Sequence, residues 1–368
     1  MVTEGMAAIR IPAGVFYNPE MKFCRDVSVA LIRAARAGAH ARTVDATAGS
    51  GIRAIRYARE CGGAVGDLWL VDISPSSARA AKANAARNGV RAFAAPTSFA
   101  RFANSVRAKG GFQLIELDPF GTPVPFLHDA LRLARDGTLL SVTATDTAVL
   151  CGAHPKACLK NYQAKPLNPF CCHEVGARIL LGKIARAAAE FDLAALPLMA
   201  LSHRHYFKVF VSLKKGAGAA AETLRKIGFI SHCGTCLHRE TSFGVACTTP
   251  ARCTACGGTL EHAGPLWLGK LHDGGLLARM IAETGSSAPK LAALFTVMRA
   301  EDGLPPLYFE LPRVTERLRA GALGRETIAS ALETAGFEAS RTHFHPNALK
   351  TTAPAKDFFA IVRQAKAL

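Results

Sequence analysis

The stretch ARTVDATAGSGIRAIRYAREC, residues 41–61, runs from a short apolar segment through a glycine turn into an amphipathic pattern. ARTVDA (41–46) predicts a strand, TAGSG the turn, and IRAIRYAREC a helix. Gly49 and Gly51 let the backbone turn tightly and approach a ligand, with a helix N-terminus opening just behind them. Asp45 stands at the head of this loop. The same alternation continues outward: LWLVDIS (68–74) reads as a strand, SSARAAKANAARNG as a helix ending at Gly89, RAFAAP as a weaker strand and FQLIELD (112–118) as a fourth. PFLHDALRLARDG reads as a helix ending at Gly137 and TLLSVTATD (138–146) as a fifth strand. Strand–helix alternation of this kind predicts a doubly wound parallel α/β sheet.

Beyond it, residues 173–191 form a long amphipathic pattern, and LPLMALS and HYFKVFVSLK read as two adjacent, antiparallel strands. Composition changes at KKGAGAAAE (214–222), which sets an expected boundary between a domain of residues 1–215 and a smaller α+β domain of residues 216–368. Helices are expected around 266–300 and 313–336.

The 368 residues carry 45 Lys and Arg against 28 Asp and Glu, a net charge of +17. Most of the excess, +13, lies in residues 1–215, and +4 lies beyond. Such a surplus points to a polyanionic partner. With 49% apolar and 20% charged residues the chain reads as globular. No apolar stretch is long enough to span a bilayer, and the opening residues lack the pattern of a signal peptide, so a soluble, cytoplasmic protein without a membrane partner is expected. No protein partner is implied. Eleven Cys in such a chain argue against a disulfide framework.

The glycine loop alone does not distinguish a dinucleotide site from an S-adenosylmethionine site. Asp72, at the end of the second strand, is where an acid meets ribose hydroxyls in either. LIELDPFGTPVPF, residues 114–126, separates them. Asp118 is expected at the carboxyl end of the fourth strand, facing the ligand crevice. A carboxylate there can accept a hydrogen bond from a ring-bound amine, orient its lone pair and take its proton. Pro119 fixes the turn and the Phe120 ring can stack on a base.

These residues carry a resemblance. The chain resembles the tRNA guanine-26 N2-methyltransferase family in its archaeal form, through GVFYNPEMKFCRD, DATAGSGIRAIRYARE, ELDPFGTPVPFLHDAL, TATDTAVLCGAHP, CCHEVGARILLGKIARAAAEFD and SRTHFHPNALKT. The resemblance implies a class I S-adenosylmethionine-dependent methyltransferase (Rossmann-like) domain that methylates the N2 amine of guanine 26 in tRNA once or twice. It implies Asp118 and Phe120 at the target base, with Phe16 as a second aromatic. Arg25 is implied at the cofactor's methionine carboxylate or at Asp118, with Arg53 and Asp72 on the cofactor side. Two positions depart from the family pattern. Cys24 replaces the usual Asn before Arg25, and Thr97 and Ser98 stand where an acid usually meets the adenine amine. Weaker cofactor binding than in an Asp-bearing relative is expected. The rivals are an amine methyltransferase for another nucleic-acid base, an inactive RNA-binding relative, and a nicotinamide enzyme that would leave Asp118 unexplained.

The second half has its own signal. Cys233-x2-Cys236 and Cys253-x2-Cys256 have the spacing of one tetrahedral Zn2+ site, closed and therefore structural. Cys247 and His262 are spare. Cys171, Cys172 and His173 read as a buried helix start, because no further ligand spacing follows them.

Overall fold

A computed structural model describes residues 1–35, 40–105, 109–168, 170–319 and 323–367. Its centre is a seven-stranded sheet of β1 (Ala41–Asp45), β2 (Val65–Asp72), β3 (Ala92–Pro96), β4 (Phe112–Leu117), β5 (Ala134–Ala144), β6 (Leu193–His203) and β7 (Tyr206–Lys215). The spatial order is β3-β2-β1-β4-β5-β7-β6. Neighbours among β1 to β5 pair in parallel, and β7 is antiparallel to both β5 and β6.

The central strands are apolar on both faces because helices cover both. Ile115 and Leu117 of β4 pack into one core with the helices Val124–Leu133 and Cys172–Ala189. Leu114 points the other way, into a core with the helices Lys22–Ala35 and Gly274–Thr284. The helix Pro75–Arg87 starts where Ser74 accepts the Ser77 N–H and proline occupies the first turn. It stops at Asn88, before Gly89 at φ +67°.

One expected boundary moved. The helix expected to reach Gly137 ends at Leu133, and β5 begins at Ala134. Leu-Ala-Arg content favours a helix there, but Ala134 pairs with Phe112 and so belongs to the sheet. Residues 214–222, where the composition changes, close β7 and then form the helix Ala217–Leu224.

Residues beyond 224 build two three-stranded sheets. One holds Arg239–Phe243, Ile227–Cys233 and Leu260–Trp267 in that spatial order; the other holds Phe309–Glu310, His345–Thr351 and Ala339–Thr342. Residues 266 and 267, expected in a helix, end a strand instead. Helices Gly274–Thr284, Pro289–Glu301, Leu311–Leu318, Arg325–Thr334 and Ala355–Ala367 complete this half.

The two halves share one core, in which Leu180 and Ile184 pack in the same cluster as Leu266 and Trp267. Contact at this seam is close: a Cβ on Gly182 would come within 3.0 Å of Leu266 Cα. Lys350 Nζ also crosses it to Glu174 Oε1, at 2.8 Å. Among the described residues no helix is long and apolar enough to cross a membrane.

Candidate active site and candidate zinc centre

Strand register brings the expected residues level. Asp45 pairs with Leu70 and with Glu116, and Asp72 pairs with Pro96. The carboxyl ends of β1, β2, β3 and β4 therefore present Asp45, Asp72, Thr97 and Asp118 along one crevice, where open α/β sheets bind ligands. Asp72 shapes the glycine loop from across it: its carboxylate accepts the N–H of Gly49 and that of Ser74, each at 2.8 Å. Gly51 sits at φ +80°, and a Cβ there would lie 3.1 Å from Ala81. Only glycine meets both conditions. Thr97 is half-buried, its backbone N–H bonded to the Asp72 carbonyl at 3.0 Å.

Asp118 Oδ2 accepts from Arg53 Nη2, and the Asp118 N–H donates to Thr47 Oγ1 at 3.3 Å. Burial opposes ionisation of Asp118, but Arg53 and, further off, Lys208 outweigh it and hold the carboxyl below its usual range. Phe120 and Phe16 stand beside it, edge to face with centroids 4.6 Å apart. They are 76% and 52% exposed. Two adjacent phenyl rings left this open beside an ionised acid form a surface for a flat, hydrogen-bonding ring.

Arg25 lies elsewhere than at Asp118. Its guanidinium is buried against Glu4, at 2.7 and 2.5 Å, and donates to the Asn18 carbonyl. Arg56 Nη1 also meets Glu4, at 2.7 Å. Burial alone would raise the Glu4 pKa, yet its two arginine partners bring it down to about 2. Arg25 therefore clamps the N-terminal hairpin, Val2–Glu4 and Ala7–Ile9, onto the sheet, and it is Arg53 that meets the acid. Cys24 Sγ lies 3.7 Å from both terminal nitrogens of Arg53, a weak contact where an amide would bind more strongly.

Sequence reasoning missed the floor beneath Asp118. Glu116 is fully buried and accepts from Lys208 Nζ at 2.5 Å and Tyr57 Oη at 2.9 Å, with Arg53 Nε at 3.6 Å. Lys208 is also fully buried and reaches Thr143 Oγ1 at 3.0 Å. The signal lay in LIELD and YFKVFV, where single charges interrupt runs otherwise fit for a sheet interior. Lys208→Met should destabilise the fold by about 3 kcal/mol, because it takes the nearest cation from a buried carboxylate and leaves it Tyr57 and the more distant Arg53. The double variant Glu116→Gln/Lys208→Met should recover part of that loss, and urea denaturation of the two checks it.

Asp45, 3% exposed, accepts the Thr47 N–H at 3.2 Å. Burial, and after it the nearby Glu116, push its carboxyl up to about 7. The folded state then holds a proton that the unfolded chain releases near pH 4. Stability should fall as pH rises from about 4 through about 7, by at most about 1.4 kcal/mol per unit. Asp45→Asn should flatten that decline between pH 5 and pH 8, as followed by urea midpoints.

The four cysteines of the second half converge. Cys233 and Cys256 Sγ are 3.5 Å apart, as are Cys236 and Cys253, and all four sulfurs lie within 4.8 Å of one another. Thiolates around Zn2+ at about 2.3 Å would stand about 3.8 Å apart. The two turns are matched in backbone. Leu237 N–H bonds Cys233 O and Cys233 N–H bonds His238 O; Gly257 N–H bonds Cys253 O and Cys253 N–H bonds Gly258 O. Leu237 and Gly257 both take positive φ, +57° and +73°. This donor set and spacing fit a closed Zn2+ site. Cys247 and His262 are engaged elsewhere, with the Ser242 carbonyl and the Ser231 hydroxyl.

Sheet order and crevice together define a class I S-adenosylmethionine-dependent methyltransferase fold. Residues 2–363 match the family described as N2,N2-dimethylguanosine tRNA methyltransferase, and the chain belongs to that family. The tRNA (guanine(26)-N(2))-dimethyltransferase of Methanothermobacter thermautotrophicus is 38% identical to it over 366 residues, covering 96% of this chain and 95% of that protein. Its counterpart in Pyrococcus horikoshii is 37% identical over 388 residues, covering 99% and 98%. The solved complex of Trm1 from Pyrococcus horikoshii with S-adenosyl-L-methionine superposes with a TM-score of 0.87 at 37% identity, covering 98% of each chain.

Proposed function

We propose that this protein transfers one or two methyl groups from S-adenosylmethionine to the N2 amine of guanine 26 in tRNA, in the cytoplasm. The observation that carries the reading is Asp118, ionised against Arg53 at the carboxyl end of β4, beside two exposed phenyl rings. Asp45, the Gly49–Gly51 loop, Asp72 and Thr97 would line the cofactor side of the crevice. Bound there, S-adenosylmethionine supplies an electrophilic methyl group.

The exocyclic amine is a weak nucleophile because its lone pair is delocalised into the ring. Asp118 accepts a hydrogen bond from the amine and turns the lone pair towards the methyl carbon. A carboxylate held below its usual pKa is a weak base, but it suffices, since the alkylated aryl ammonium formed by attack is strongly acidic. Phe16 and Phe120 hold the base once it has left the RNA stack, offsetting an extrusion cost of a few kcal/mol. Residues 1–215 carry the chemistry, and residues 216–368, with zinc as a structural clip, grip the tRNA by phosphate and shape.

Incubation with methyl-labelled S-adenosylmethionine and two tRNA transcripts, differing only in G or A at position 26, tests this. Label should enter the G26 transcript alone. Label in both, or in neither while the cofactor binds, would overturn the assignment.

A further inference from the structure

The structure brings together Cys151, Cys172 and His173, which the methyltransferase site does not use. Cys151 follows the short helix Thr147–Leu150, after β5, and Cys172 opens the helix Cys172–Ala189. The two thiols and the imidazole present atoms all within 4.8 Å of one another, and each residue is half-buried. His173 Nδ1 is 3.8 Å from Cys172 Sγ. The neighbouring Cys171 is different: it is fully buried, its thiol donates to the Tyr308 carbonyl at 3.4 Å, and burial pushes its pKa well up.

Three contacts favour a thiolate at Cys172. The Cys151 thiol stands within 4.8 Å of it, His173 Nδ1 lies 3.8 Å from it, and it sits in the first turn of an 18-residue helix. Against the opposing effect of burial, the neighbouring Cys151 and, after it, His173 bring its thiol down to about 5. The nearby Cys172 in turn pushes the Cys151 thiol up and, across its contact with His173, the imidazole up. An accessible thiolate beside a protonated second thiol is the arrangement found where cysteine is oxidised reversibly.

We propose that Cys172 and Cys151 form an oxidation site, with Cys172 the attacking thiolate, Cys151 the resolving thiol and a hydroperoxide the oxidant. Cys172 sulfur attacks the terminal peroxide oxygen; the O–O bond breaks, and sulfur loses two electrons to become a sulfenic acid. The departing hydroxide or alkoxide takes a proton from the His173 imidazolium. Cys151 sulfur then attacks the Cys172 sulfur: the S–S bond forms, the S–O bond breaks, and hydroxide leaves with the Cys151 proton as water. The segment bearing Cys151 also bears Thr145, which fixes the turn after Asp118. Thr145 accepts the Gly121 N–H at 2.7 Å and donates its own N–H to the Gly121 carbonyl at 3.0 Å. The disulfide would therefore form beside the segment that supports Phe120.

Peptide-resolved mass spectrometry of the zinc-loaded full chain, treated with hydrogen peroxide, alkylated and digested with trypsin, tests the proposal. A linked pair of peptides spanning residues 136–156 and 161–178 should appear. It should persist in Cys171→Ser and vanish in Cys172→Ser. Cys151→Ser should stop at the sulfenic acid, trapped at Cys172 by dimedone. At pH 6, before oxidation, iodoacetamide should label Cys172 about tenfold faster than an ordinary exposed thiol, the gain in thiolate outweighing its lower nucleophilicity. A link that survives Cys172→Ser, or wild-type protein giving neither the link nor the dimedone adduct, would overturn the assignment. Oxidation of the zinc-site cysteines appears on other peptides and does not confuse the result.

Discussion

Asp118→Ala should leave a folded protein that binds S-adenosylmethionine normally and transfers methyl groups about 10²–10⁴-fold more slowly. The fold should survive because Arg53 keeps Glu116, Ser28 and Cys24 around its guanidinium when Asp118 is removed. Asp118 is moreover 22% exposed at its side chain, so no deep cavity opens. Cofactor affinity should hold because the residues on that side, Gly49, Gly51 and Asp72, form their own hydrogen-bonded loop. Asp118→Asn is the more discriminating variant. It keeps an acceptor oxygen but neither the charge nor the basicity, so orientation alone should rescue only part of the rate. Single-turnover transfer to a G26 transcript, alongside calorimetric cofactor binding, reads both. Activity within tenfold of the parent in Asp118→Ala would remove the carboxylate from the mechanism.

Cys253→Ser should cost the protein its zinc and the order of the loops around it. The apolar cluster at that tip is small: Cys233, Cys253 and Leu260, with Cys236 packed against them. So little buried surface cannot fix two turns, one of which holds Leu237 at positive φ. A structural zinc contributes an apparent 10–16 kcal/mol, roughly, in small zinc-folded units. Metal content should fall from one ion per chain to none. Amide protection should vanish around residues 233–258 while the central sheet keeps its own, and tRNA affinity should drop with cofactor affinity unchanged. A variant free of zinc that retained this protection would show that the loops fold without the metal.

What could be read in the sequence was what is local. The glycine loop, the Asp-Pro-Phe-Gly corner and the two Cys-x2-Cys pairs each occupy a short segment whose spacing states its geometry. Contacts between distant segments could not be read this way. Nothing near Arg25 announces Glu4, and nothing near Glu116 announces Lys208, because each pair meets only once the sheet is assembled. The same holds for Cys172: the sequence showed its neighbours Cys171 and His173, while its partner Cys151 lies on another segment. The helix overrun at Ala134–Gly137 has a similar cause, since local helix propensity was overruled by pairing with β4. The resemblance implies Arg25 on the ligand side, and its ion pair with Glu4 under the N-terminal hairpin could not be read from either segment alone.

The contact at Gly182 bears on how a folded RNA can reach the crevice. At Gly182 the two backbones come close enough to exclude a side chain, apolar side chains interlock beside it, and Lys350 ties the same seam electrostatically. Opening there would expose apolar surface and separate a buried ion pair, so a clamp hinged at this seam would cost the chain part of its shared core. The deformation should then fall on the nucleic acid. A tRNA whose hinge yields easily around its twenty-sixth residue should be modified faster than a stiffer one with the same sequence at the target, and catalysis would rank tRNAs by pliancy.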